Sequence, residues 1–141
     1  MSTLKVTNVA HETSTLNTLV FDNGGGSGNG RVTTKGTIGE ISAVSYASTI
    51  TLDFRTANNF STTLTGNTTF ANPSNISAGQ SGGLFITQDG TGSRTAAFGS
   101  YWDFSDGTAP TLSTGANQVD VIAWIARTTT NITAQFIGNF S

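Results

Sequence analysis

The sequence has no cysteine, two prolines and a single histidine, His11, in 141 residues. Without thiols there is neither a disulfide framework nor a thiolate zinc site, and cysteine pairing says nothing about compartment. Charge is almost as scarce: Lys, Arg, Asp and Glu make up 10% of the chain, with a net charge of −2. The bases stand singly at Lys5, Arg31, Lys35, Arg55, Arg94 and Arg127, too scattered to neutralise a row of phosphates, so nucleic acid is not an expected partner. Long apolar runs are missing too. The longest, residues 121–126, is too short to cross a bilayer, and MSTLKVTNVAHETSTL lacks the basic start and apolar centre of a secretion signal, so no membrane association is expected and synthesis is cytoplasmic.

What fills the space is Thr (26), Gly (17), Ser (15) and Asn (12), half of the chain. Helices draw their solvent face from Lys, Glu, Arg and Ala, whereas Thr-rich segments punctuated by Gly and Asn suit strands joined by tight turns. The composition therefore predicts an all-β fold. Nine Phe, two Trp and two Tyr among 35% hydrophobic residues supply enough apolar volume for a core.

Texture changes near residue 40. Residues 1–40 read as an extended N-terminal arm: LKVTNVAH and LNTLVFD are strand-like, and a flexible Gly-rich tract follows over residues 23–30. Two such strands cannot make a core of their own, so Leu4, Val6, Val9, Leu16, Leu19 and Phe21 are expected to attach to another surface. Residues 41–141 carry alternating runs at sandwich spacing and predict an antiparallel β-sandwich, jelly-roll-like. Asp89-Gly90-Thr91-Gly92 predicts a hairpin between GLFITQ and RTAAFG, and residues 128–131 a second one between QVDVIAWIART and NITAQFIGNF.

The first strand of that last pair is apolar on both faces: Val119, Val121, Ala123 and Ile125 alternate with Ile122, Trp124 and Ala126. Val121 and Ile125, with Phe136 or Ile137, are expected in the core. The other face needs cover, which predicts a homotrimer with Trp124 and Phe140 at its interface.

Chemistry-bearing patterns are sparse. Gly79-Gln80-Ser81-Gly82-Gly83 fits G-x-S-x-G, but a strand follows where a helix is required, and the only histidine lies upstream, so no catalytic residue is expected and the protein is not read as an enzyme. The Gly24 to Gly30 tract precedes no helix that could cradle a phosphate and reads as linker, leaving no cofactor site. Asp103 and Asp106 beside Tyr101 and Trp102 more often cap a turn than bind metal, and no metal site is assigned. Tyr101 and Trp102 are the candidate glycan contacts.

From Ile50 onward, ITLDF, LTGNTTFANPSN, AGQSGGLFITQDGTGSRTAAFGSYWDF, TLSTGANQVDVIAWIA and FIGNF resemble a module of bacteriophage virion proteins. That family places the module at the distal ends of tail fibres and tailspikes, and in small trimeric cement proteins with a β-sandwich fold on cyanophage capsids. The opening LKVTNVAH also looks like the start of such proteins. With about 40 residues ahead of the module, the resemblance implies a trimeric cement protein, made in the host cytoplasm, that decorates the outer capsid surface and contacts the major capsid protein. The alternative is a tail fibre or tailspike domain that binds a host-surface glycan.

Overall fold

The structure, a computed structural model, describes residues 38–141. Nine strands and one 3-10 turn make up the regular structure of this region: β1 (Ile41–Ala43), β2 (Thr49–Ile50), β3 (Asn59–Leu64), β4 (Thr68–Phe70), β5 (Ser81–Gln88), β6 (Ala96–Phe98), β7 (Trp102–Phe104), the turn Ser105–Gly107, β8 (Val119–Ala126) and β9 (Ile132–Phe140). The fold is all-β, as the Thr- and Gly-rich composition predicts. A six-stranded sheet runs β1-β3-β5-β8-β9-β7 and a three-stranded sheet runs β2-β4-β6.

The two sheets share one core, but their ladders are mixed where the sequence predicts antiparallel pairing. β1/β3, β3/β5, β2/β4, β4/β6 and β7/β9 are parallel; only β5/β8 and β8/β9 are antiparallel. The reason is the path of the chain. Each strand of the large sheet up to β5 is followed by one in the small sheet, so neighbours within a sheet enter in the same direction and the passes stack like turns of a coil. A crossover of this kind is what parallel pairing requires. A third line of contact, the parallel bridge Asp53–Ser74, continues the stacking past β2 and β4.

The predicted hairpin at residues 89–92 is therefore a crossover between sheets. Asp89 Oδ1 accepts from the Thr91 and Gly92 amides at 3.0 and 2.9 Å, the turn that the sequence signals. The buried Gln88 side chain then accepts from the Arg94 amide at 2.8 Å and donates to the Arg94 carbonyl at 2.9 Å. These bonds close the loop and deliver β6 to β4. Asn67 and Asn72, flanking β4, accept from the Thr95 and Tyr101 amides at 3.0 and 2.9 Å and fix both ends of β6. The hairpin predicted across residues 128–131 is present, with Arg127 N–H donating to the Asn131 carbonyl at 2.8 Å.

Core side chains come from both sheets: Ile50, Phe60, Leu64, Phe70, Leu84, Ile86, Ile122, Trp124 and Ile132 are all buried, each contributing about 1.5–3 kcal/mol by leaving water. β8 turns the face carrying Asp120, Ile122, Trp124 and Ala126 inward. This corrects the expected phase: Val121 is only partly buried and Ile125 is 49% exposed. Of the other two, Phe136 packs against the core while Ile137 faces out. An acidic residue inside makes the choice possible. Asp120, fully buried, accepts from the Ser113 amide at 2.8 Å, the Ser113 hydroxyl at 2.7 Å and the Asn139 amide at 3.1 Å, which satisfies a carboxylate that would otherwise be costly to enclose.

Candidate functional site

Strand alternation gives the six-stranded sheet an outer face opposite the core. Its rows follow from the register. Ala43, Ser61, Phe85, Val121 and Ile137 lie side by side across β1, β3, β5, β8 and β9. One row along, Thr63, Thr87, Val119 and Phe140 are neighbours in turn. The face thus divides in two. On the β8–β9 side it is apolar, with Ile125, Ile137 and Phe140 each nearly half exposed, and Phe85, Val119, Val121 and Phe140 line a shallow groove. On the β1–β3 side it is a field of hydroxyls: Ser61, Thr63 and Thr87.

No ionisable residue stands in these rows. At the rim, Asp103 of β7 and the exposed Arg127 form an ion pair. Arg94 is paired with Asp89 at 2.8 Å. The Arg94 guanidinium is the main reason that the Asp89 carboxyl is held below its ordinary value, helped by the Gly92 and Thr91 amides. On the stacked passes, Asn75 donates to Asp53 at 2.8 Å and lowers that carboxyl, with the Arg55 amide as a second donor.

The side chains expected at sites fall in different places. Trp124 is buried and stacks on Phe54, so the core of its own subunit takes the ring that the sequence assigns to an interface. Trp102 is also buried; its Nε1 donates to the Ala71 carbonyl at 3.2 Å, and its ring meets Phe54 and Phe98 edge-on. It has no surface to offer a glycan. Tyr101 is partly buried against the core. Phe140 does lie on the outer face. The attachment residues Leu4, Val6, Val9, Leu16, Leu19 and Phe21 lie outside the described residues.

Gly79 to Gly83 leads into β5, with no strand-to-helix turn at Ser81. Among the described residues no three His, Cys, Asp or Glu side chains cluster to hold a metal, and no helix is long and apolar enough to cross a membrane. The residues that sequence reasoning missed are Phe85 and the hydroxyl row beside it. The signal for Phe85 was its phase: it alternates with Leu84 and Ile86, both buried.

A family model described as "Putative phage tail fibre C-terminal domain" matches residues 33–131. The chain belongs to this family. Membership makes it a structural component of a bacteriophage virion, and the match takes in β1 to β8, leaving β9 beyond its end. No curated protein and no solved structure matches the chain.

Proposed function

We propose that the chain serves as the distal domain of a tail fibre, associates there as a homotrimer, and meets the host surface as a binding module rather than an enzyme. The tail-fibre family match carries this reading. It favours a fibre over a capsid cement protein, because the cement reading rests on clamping the major capsid protein with an arm that lies outside the described residues. The apolar half of the outer face supports association: Phe85, Val119, Val121, Ile137 and Phe140 form one uncharged patch, and exposed patches of this kind mark contact surfaces. Closed symmetric assembly covers such a patch once per copy.

Antibodies raised against the domain and imaged on intact virions test the assignment. Label at the ends of tail fibres is the expected result; label spread over the head, at hundreds of copies, would restore the cement reading. Light scattering of the purified chain at micromolar concentration should return three times the mass of one chain, and a monomer would remove the association.

A further inference from the structure

β1 stops early. Its neighbour β3 runs on to Leu64, but after the Val44 amide donates to the Ser61 carbonyl at 2.8 Å the chain leaves for the small sheet. Among the described residues no strand pairs with β3 beyond Ser61 on that side, and the gap is a groove of about 500 Å³ between residues 43–46 and 61–65, lined also by Thr87.

Tyr46 walls this groove. It is 37% exposed, and its hydroxyl donates to the Asn67 carbonyl at 3.2 Å. The ring is seated over Gly66, where any Cβ would collide with the Tyr46 hydroxyl. The aromatic is thus held in place before any ligand arrives.

Ser and Thr hydroxyls surround it. Some hydroxyls are used internally: Thr56, Thr68 and Ser113 donate to backbone or carboxylate oxygens. Among the described residues, the hydroxyls of Ser45, Ser61, Thr63, Thr65 and Thr87 make no such bond. No charged side chain among the described residues lines the groove, and Arg94 is paired with Asp89.

We propose that this groove between β1 and β3 binds a neutral saccharide, a proposal that rests on the tail-fibre reading and gives its receptor contact a place and a chemical class. A sugar ring offers a C–H face to an aromatic and a rim of hydroxyls that both donate and accept, and Ser and Thr hydroxyls do the same. An anionic ligand would find no cation here among the described residues, and an apolar one would leave the hydroxyls unpaired.

The test is an array of neutral and acidic glycans probed with the full chain, followed by titration of the retained glycans against variants. Neutral glycans should be retained. Thr63→Val with Thr87→Val, which keeps shape and removes both hydroxyls, should weaken binding about tenfold, and Tyr46→Ala should abolish it. Tyr46→Phe, which keeps the ring, should still bind, and circular dichroism of each variant separates lost binding from lost folding. Retention of acidic glycans alone, retention of none, or neutral binding indifferent to the Thr variants would each overturn the proposal. So would Thr variants that leave glycan binding intact but weaken association between copies, which would assign the groove to a subunit interface. Virion labelling separates the two readings: fibre label with an empty array removes the groove proposal alone, and head label with a positive array removes the fibre reading alone.

Discussion

The Trp124 indole stacks on the Phe54 ring with centroids 4.1 Å apart and planes 20° from parallel. This contact joins β8 to the segment after β2, and so fastens the antiparallel half of the large sheet to the stacked passes. Gly82 makes room for it, since a Cβ there would meet Trp124 Cζ2 at 2.9 Å and collide with the Asn58 carbonyl. Trp124→Ala should cost about 3–5 kcal/mol, the usual range for emptying a large buried aromatic site, measured by urea denaturation. A loss below about 1 kcal/mol would mean that the ring is not central to the core.

The apolar half of the outer face predicts the opposite behaviour. Ile137→Ser with Phe140→Ser removes exposed groups, so stability of the single subunit should change by no more than about 0.5 kcal/mol per site. The assembly should dissociate, read as a fall in mass by sedimentation. An unchanged mass would place the contact elsewhere.

Gln88 closes the crossover from β5 to β6 through two bonds to the Arg94 backbone. Gln88→Leu fills the same space but leaves the Arg94 amide and carbonyl without partners, at a cost of about 1–3 kcal/mol for each group left unsatisfied. Thermal unfolding and amide exchange at Arg94 should both register the change; full protection at Arg94 in the variant would contradict it.

Asp89 and Asp53 are both held below their ordinary carboxyl value, by Arg94 and by Asn75 respectively. A carboxyl lowered on folding contributes its full stabilisation above its unfolded value and loses it as pH falls through the folded one. The unfolding temperature should therefore decline as pH is taken below about 4. Asp89→Asn should be less stable at neutral pH and show a shallower decline, and an unchanged slope would remove the Arg94 pair from the acid response.

The structure puts particular limits on what could be read in advance. Most strand positions, the turn at residues 89–92 and the last hairpin were legible because alternation and Gly, Asn and Asp punctuation are local; β7 was not, because Asp103 and Asp106 read as turn residues and only pairing with β9 makes Trp102–Phe104 a strand. Pairing was not legible. A turn signal says where the chain bends, and Asp89 bends it equally well toward a neighbour in the same sheet or across to the other one; Gln88 and Arg94 decide which, by bonds formed only once the loop has closed. The groove at Tyr46 arises from the early end of β1 beside a longer β3, a relation between strands that no single segment contains.

The phase of β8 was the sharpest ambiguity. Either face could be core, and Asp120 sides with Ile122 and Trp124, which argues for turning that face to water. By itself the sequence determined the all-β class, most strand locations and the existence of a second apolar face, since composition and period-2 alternation follow from each residue's own chemistry and its nearest neighbours. Only the tertiary structure decided which face is inside and which strands run parallel. Ser113 and Asn139 bring three donors to Asp120 from outside β8, making its burial affordable, and the alternation of passes between two sheets sets the direction of β1 to β7.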